Sequence, residues 1–465
     1  MAQSLKKNIA YKGLLTFANY IIGFLTFPYI TRVLGPEKYG LVNFVLNTID
    51  YFLIFATLGI GVLGVREIAK VKENRERRSK VFCNLLGLNV LFTILVIIVY
   101  VILVSFIPKF HEHASLFYIG IAKIIFTAFL LEWFFTGLED FKFITIRSLV
   151  IRTFYLLCVF IFIKDEYDYQ LYFYLTVMTI VLNSFVNTIY ASKLIDIKWN
   201  YFLDFKFLKK DILLGIYSLM TSAYLTFNVM YLGLVTNDAE VGCYTASFRL
   251  YAIILSLFSA YSSVMTPRMS SVIQNNDKNA FSKYIKFSVN LISTIAIPLI
   301  ICSIILAPQI IQVLSGSGYD GAITPMRILM PAILAVCIAQ IIVNQILIPT
   351  RYDGVILHAS IIGAIVAIII NVLFVKHLGA IGSSIVLLTS EITVTTFYLV
   401  KLPTEYIKVF PKLRVVFPQI ISGLPSIFLA IGCCYLISNP FISVCVCIIG
   451  AAIYSVFIVR RFARS

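Results

Sequence analysis

The chain has 465 residues, of which 60% are hydrophobic and only 13% charged. That balance excludes an ordinary soluble globule, whose charged fraction is about twice as large. The net charge of +16 reads as a basic rim facing anionic lipid headgroups rather than as a nucleic-acid surface.

Apolar runs of about 18 residues or more can cross a bilayer as helices. Fourteen such runs follow one another, near 14–34, 40–65, 82–106, 115–137, 146–163, 170–192, 212–235, 242–266, 286–314, 323–348, 354–375, 382–400, 416–437 and 440–459. They are continuous rather than alternating, which excludes a membrane β-barrel. The expected fold class is therefore all-α integral membrane, with about fourteen transmembrane helices, or twelve without the final pair. Most of the 38 Lys and Arg residues sit in alternate gaps, at 1–13, 66–80, 138–147, 193–211, 267–286, 349–354, 401–414 and 460–465. The gaps between them hold little more than Lys38, Lys109, Lys164 and Lys376, together with Glu112, Asp165, Glu166, Asp168, Asp238 and Glu240. This is the positive-inside rule repeated along one polypeptide. It puts both termini in the cytoplasm, with Lys6, Lys7, Arg460, Arg461 and Arg464. No small-residue cleavage site follows the first apolar run, so the first helix is expected to stay in the mature protein.

The first hairpin, Leu34-Gly35-Pro36-Glu37-Lys38-Tyr39-Gly40, has a counterpart after the seventh span in Thr236-Asn237-Asp238-Ala239-Glu240-Val241-Gly242. Both are short external turns closed by Gly, and a basic connector at 193–211 lies between the two units. The expected organisation is a six-helix lobe at 1–200, a second six-helix lobe at 201–401 and two additional helices at 402–465. A parallel repeat of this kind places a substrate site at the interface of the lobes, as in alternating-access transporters. Pro28, Pro298, Pro308, Pro331 and Pro425 within the spans are compatible with jointed helices, although Pro is common in membrane helices generally.

Ionisable groups at membrane depth cost about 2.5–3.5 kcal/mol each on insertion scales, so each needs a partner or a watery cavity. The deep ones are Asp50, Lys123, Glu132, Arg152, Arg249 and Glu391, with Arg32, Arg66 and Arg327 nearer helix ends. Asn43, Asn47, Asp50 and Thr57 form one stripe on the second span. Tyr217, Thr221, Tyr224, Asn228 and Tyr231 form another on the seventh, and Arg249 shares a face with Ser256 and Ser263 on the eighth. Ser and Thr alone read as interhelical glue, whereas a stripe that includes Asp50 or Arg249 reads as a cavity wall. Tyr rings and amides such as Tyr224 and Asn228 suit sugars, and Arg forks suit a diphosphate. Asp50, Glu132 or Glu391 can alternatively bind a coupling proton or Na⁺. Lys123 and Glu132, nine positions apart, fall on opposite faces of an unbroken fourth helix.

Catalytic chemistry and cofactors are not expected. The nine Cys residues lie within spans, where they pack as small apolar side chains. Cys445 and Cys447 lack a zinc-site spacing, so neither metal nor disulfide is expected. No G-x-x-x-x-G-K-[ST] loop is present, which argues against ATP-driven transport by this chain alone.

The segment Pro28-Tyr29-Ile30-Thr31-Arg32-Val33-Leu34-Gly35-Pro36-Glu37-Lys38-Tyr39-Gly40 resembles the first hairpin of polysaccharide transporters, the Wzx-type O-antigen flippases of the MOP (multidrug/oligosaccharidyl-lipid/polysaccharide) exporter superfamily. Three further stretches resemble the same family: Glu132-Trp133-Phe134-Phe135-Thr136-Gly137-Leu138-Glu139, Tyr319 to Pro331, and His377-Leu378-Gly379-Ala380-Ile381-Gly382. The resemblance covers nearly the whole chain and is weakest in the last two helices. It implies a flippase that moves an undecaprenyl-diphosphate-linked oligosaccharide to the periplasmic leaflet of the bacterial inner membrane. It also implies a proton or Na⁺ gradient as driver and polysaccharide polymerase and chain-length machinery as partners. By that analogy Arg32, Asp50, Arg66, Lys123, Arg152 and Arg249 line the cavity, Arg152 and Arg249 meet the diphosphate, and Asp50 couples. Tyr20 and Thr26 stand where the related murein-lipid flippases carry arginines. A cation-coupled drug or metabolite exporter of the same superfamily is the alternative, since Asp50 can serve as its coupling acid. A membrane glycan polymerase or ligase is disfavoured, because the longest external gap is about eight residues.

Overall fold

In the computed structural model, which describes residues 5–202, 205–275, 277–407, 410 and 413–464, every regular element is a helix. Nine helices among the described residues are long and apolar enough to cross a membrane. Two of them, Ala10–Thr57 with 48 residues and Asp353–Lys401 with 49, are each long enough for two crossings. Both fold back at a glycine with positive φ: Gly35 (φ 67°) and Gly379 (φ 54°). Glycine occupies that region without the Cβ clash that L side chains meet there. The protein is thus an all-α multi-pass membrane protein.

Its residues pack as two compact units, one up to Leu234 and one from Val235. The first contains α1 (Leu5–Thr57), α2 (Ile60–Val71), α3 (Arg75–Phe106), α4 (Pro108–Glu112), α5 (Ala114–Thr127), α6 (Glu132–Gly137), α7 (Phe141–Phe162), α8 (Tyr169–Leu194) and α9 (Leu208–Val235). Helix α9 is held close to α1, because a Cβ at Gly233 would collide with the Phe44 ring and one at Gly215 with Leu58. One part of the core is aromatic, with Phe44, Tyr100 and Phe117 fully buried, and the Tyr100 hydroxyl donates to the Phe117 carbonyl at 2.9 Å. At the other end of the unit Trp133, Phe134 and Phe82 pack together, and Gly64 leaves room for the Trp133 ring. There Arg78 donates to the carbonyls of Lys72 (2.7 Å) and Leu194 (2.5 Å), satisfying open carbonyls at the ends of α2 and α8. Arg75 grips Asp196 (3.0 Å) and holds its carboxyl below the usual carboxylate range. Both partners are exposed, so the pair contributes little to stability.

The second unit contains α10 (Asp238–Gln274), α11 (Lys278–Ile305), α12 (Ala307–Ser315), α13 (Ile323–Leu329), α14 (Ala332–Ile342), α15 (Asp353–Ile370), α16 (Lys376–Lys401), α17 (Thr404–Ile407), α18 (Leu413–Leu436) and α19 (Pro440–Arg464). Single π turns at Val343–Leu347 and Asn371–Val375 follow α14 and α15. The ninth span, read as continuous over 286–314, ends at Ile305, and α12 begins with Pro308 in its first turn, where a missing N–H costs nothing. The last pair, α18 and α19, lies against α11: Gly423 faces Ile297, and Ser455 bonds the Thr294 carbonyl at 3.4 Å.

One carboxylate fastens the start of α10 to the fold in α16. The Asn237 side chain caps α10 by accepting from the Glu240 N–H (2.9 Å), and the Glu240 carboxylate accepts from the Ala380 N–H at 2.7 Å. A Cβ on Gly379 would collide with that carboxylate. Two costs therefore fall together on Gly379→Ala, backbone strain and displacement of Glu240. We expect a loss of about 1–3 kcal/mol, read as a lower melting temperature of the detergent-purified protein by size-exclusion retention after heating. Gly432→Ala, at a helical site with open space around it, should leave the melting temperature unchanged.

Candidate functional site

The polar residues of the first unit converge on two ion pairs, and both depend on the fourth crossing. That crossing is not one helix. Helix α5 stops at Thr127, Leu131 adopts the left-handed conformation (φ 50°), and α6 starts at Glu132. A break at membrane depth frees backbone carbonyls that no lipid can satisfy. Two side chains from neighbouring helices take them up, Asn89 of α3 at the Ala128 carbonyl (3.3 Å) and Asn187 of α8 at that of Leu130, while Ser184 of α8 donates to the Phe126 carbonyl, which also accepts from the Phe129 N–H (3.1 Å).

Asn187 then carries the network onward, because its amide oxygen accepts from the Arg147 guanidinium. Arg147 also donates to Ser148 (2.9 Å) and pairs with Glu132 at 3.3 Å. Its side chain is 3% exposed and that of Glu132 60%. Arg152, further along α7 and exposed, stands within electrostatic reach of Glu132.

The second pair joins Lys123 of α5 to Asp50 of α1 at 2.6 Å. The ammonium end is buried (8%) and the carboxylate half-exposed (48%). Helical spacing over an unbroken fourth span predicts opposite faces for Lys123 and Glu132. The span breaks between them, and each meets its own partner on a different helix. Asn43 and Asn47 lie in the Asp50 stripe, but their amides bond back to the carbonyls of Tyr39 and Asn43 (both 2.8 Å). Of that stripe, Asp50 reaches another helix.

The remaining candidates are dispersed. Arg32 and Arg66 are exposed, near the turn at Gly35 and in α2, and Asn228 is buried in α9. The Tyr224 side chain lies outside the described residues. In the second unit Arg249 is exposed on α10 and Glu391 is buried in α16. Ser256 and Ser263, on the Arg249 face, bond their own helix. The α10 residues that cross to α14 and its π turn are Ser259, which receives Gln340 Nε2 (2.9 Å), and Ser262, which receives Asn344 Nδ2 (3.1 Å).

Sequence reasoning missed Arg147, Asn89, Ser184 and Asn187. Arg147 sits at the edge of a basic gap and reads as rim. Two intramembrane Asn residues, Asn89 and Asn187, were the available signal, because such amides seek partners in hydrocarbon.

Comparison with known proteins adds the lineage. The profile of the family described as "Polysaccharide biosynthesis protein" matches residues 5–273. A curated protein named "Putative O-antigen transporter" from Escherichia coli (strain K12) is 22% identical over 407 residues, covering 85% of this chain and 96% of that protein. Among solved structures, one titled "Lipid II flippase MurJ, inward closed conformation" superposes with a TM-score of 0.79 at 15% identity, covering 98% of this chain and 100% of that one. An inward-facing multidrug resistance MATE family transporter of the MOP superfamily gives a TM-score of 0.60 at 14% identity, over 85% of this chain and 94% of that chain. At these identities the structural likeness speaks for the fold alone.

The asymmetry of the Asp50–Lys123 pair yields a test. Removing the carboxylate strands a buried ammonium, whereas removing the ammonium leaves a carboxylate that is already half in solvent. Asp50→Ala is therefore expected to lower stability more than Lys123→Met, by about 1 kcal/mol or more, in chemical denaturation of the purified protein. Asn187→Leu, which deprives both the Leu130 carbonyl and Arg147, is expected to cost about 1–3 kcal/mol. Asn183→Leu, whose amide bonds only its own helix at the Thr179 carbonyl, should cost markedly less.

Proposed function

The chain belongs to the polysaccharide biosynthesis protein family, and we propose from that premise that it is a flippase for a lipid-linked oligosaccharide. The substrate in this reading is a repeat unit on undecaprenyl diphosphate, moved from the cytoplasmic to the periplasmic leaflet for O-antigen, capsule or another exopolysaccharide. The protein sits in the bacterial inner membrane with both termini in the cytoplasm. Two six-helix lobes, 1–200 and 201–401, alternate in access, and residues 402–465 add a helix pair. The observation that carries the reading is the near end-to-end likeness to a protein named as an O-antigen transporter.

The residues have a chemistry that suits this role. Flipping breaks no covalent bond, so the protein need only bind its substrate differently in two states and let a gradient bias the cycle. Arg32, Arg66, Arg152 and Arg249 are the cations assigned to the diphosphate and its surroundings, with Arg152 and Arg249 foremost, and Tyr224 and Asn228 are assigned to the glycan. Asp50 is assigned to coupling. It is half-exposed and holds Lys123, so a proton on Asp50 releases the ammonium for an anionic ligand. Binding of the diphosphate and protonation of Asp50 then favour each other, as linkage requires of two ligands with one shared partner. Glu132, placed in the same way against Arg147, and Glu391 are the other acids that can serve.

Mass spectrometry of undecaprenyl-diphosphate-linked glycans in cells lacking the gene tests the function. Completed repeat units are expected to accumulate on the carrier while the surface polymer is lost. A normal pool with a normal polymer would overturn the flippase reading and favour a cation-coupled exporter. At the residue level, Arg249→Ala and Asp50→Asn are each expected to lower surface glycan at least about tenfold, one interaction of about 1.4 kcal/mol, at unchanged protein abundance. Wild-type glycan in both variants would show the site assignment to be wrong.

A further inference from the structure

Helices α7 and α8 enclose a groove of about 490 Å³ near their cytoplasmic ends. It is polar at one end and aliphatic along its length. Asp140, Lys142, Arg147 and Tyr190 form the polar end, and Ile146, Val150 and Val186 line the remainder. Ile146 and Val150 are 50% and 64% exposed, so in a bilayer this wall meets acyl chains. The polar end belongs to the basic gap at 138–147, which the positive-inside rule assigns to the cytoplasmic leaflet.

Two cations and one carboxylate line the groove. Asp140 is committed twice: it caps α7 by accepting from the Phe143 N–H (3.2 Å), and it accepts from the Tyr190 hydroxyl (3.0 Å). Lys142 is exposed and makes no ion pair among the described residues. Arg147, 6% exposed overall, donates through its terminal nitrogens to Asn187, Ser148 and Glu132. Its Nε–H is buried with no hydrogen-bond partner. A buried guanidinium N–H without an acceptor carries a desolvation cost.

We propose that this groove binds an anionic glycerophospholipid of the cytoplasmic leaflet, with its phosphate between Lys142 and Arg147 and one acyl chain along Ile146, Val150 and Val186. Two features match that ligand: the cations Lys142 and Arg147 at the polar end, and the aliphatic trough of Ile146, Val150 and Val186 beyond them. A groove of about 490 Å³ holds the phosphate and part of one acyl chain, with the rest of the lipid in the surrounding bilayer. The proposal does not depend on what the protein transports.

Native mass spectrometry of the full-length purified protein tests it, with phosphatidylglycerol and phosphatidylethanolamine of identical acyl chains offered in equal amounts. One phosphatidylglycerol should be retained about fivefold in preference, the factor expected for one additional cation near an anionic headgroup. Lys142→Gln should bring the two lipids close to parity. Val150→Trp, at a lipid-facing position, should fill the trough and abolish retention at an unchanged melting temperature. If that variant is unstable, Ile146→Trp provides the same test. Inorganic phosphate alone should not displace the lipid. Equal retention of the two lipids by the wild type, or preference that survives both Lys142→Gln and Val150→Trp, would overturn the proposal. So would displacement of phosphatidylglycerol by equimolar undecaprenyl phosphate, which would assign the groove to the carrier lipid.

Discussion

The break in the fourth crossing is the constraint around which the first unit is organised. In water, four residues of irregular backbone between α5 and α6 would cost little, because solvent would take the open carbonyls. In hydrocarbon each carbonyl needs a protein donor, and the donors must arrive from other helices. Asn89 of α3 and Asn187 of α8 supply them. A local irregularity in one helix thereby fixes the rotation of two neighbours. The same break sets Glu132 at the start of α6, where Arg147 of α7 reaches it. Four helices are registered by one interruption, with interhelical hydrogen bonds that individually contribute only about 1 kcal/mol.

The two ion pairs share a design. In each the cation is buried and the carboxylate exposed: Lys123 at 8% against Asp50 at 48%, and Arg147 at 3% against Glu132 at 60%. The base is anchored in the packed interior, while the acid, the partner that a proton or cation from solvent can reach, stands at the edge. Ligand exchange at the acid therefore need not disturb the packing around the base. A reversed arrangement would bury the acid and slow its exchange with solvent. This asymmetry makes Asp50 and Glu132 better placed for coupling than Glu391, which is 7% exposed.

What the sequence made legible follows from which physical signals are local. Hydropathy and Lys/Arg placement are properties of continuous stretches, so the helical class, the first hairpin around Gly35 and the membrane setting could be read from them. The second reversal, at Gly379 (φ 54°), was legible only as a gap between two spans. The interruption at Leu131 left no such mark. Phe129, Leu130 and Leu131 are apolar and neither Gly nor Pro stands among them, so the left-handed residue is imposed by partners far away in sequence. Lys123 and Glu132, on either side of the break, meet separate partners on α1 and α7, although angular spacing by itself holds only along an unbroken helix. Arg147 was read as rim because its position at the end of a basic gap hides that it is buried. On the second span Asn43 and Asn47 each donate to a carbonyl of their own helix, while Asp50 reaches Lys123 on α5.

The exposed arginines pose the opposite problem from the buried pairs. Arg249 lies in the eighth apolar span, is exposed, and makes no ion pair among the described residues. An arginine at that depth facing lipid tails would carry an insertion cost of about 2.5 kcal/mol or more. Its neighbours on the same face, Ser256 and Ser263, bond their own helix and offer it no carboxylate. Water or an anionic ligand is what remains to offset that cost, and both require this face of α10 to look onto an aqueous space. Arg152 differs, because Glu132 already lies within its electrostatic reach. An incoming diphosphate would have to compete with that acid at Arg152, whereas at Arg249 it would displace only water. Of the two arginines that the sequence singles out, Arg249 is therefore the one whose charge is less committed to the fold and more open to a ligand.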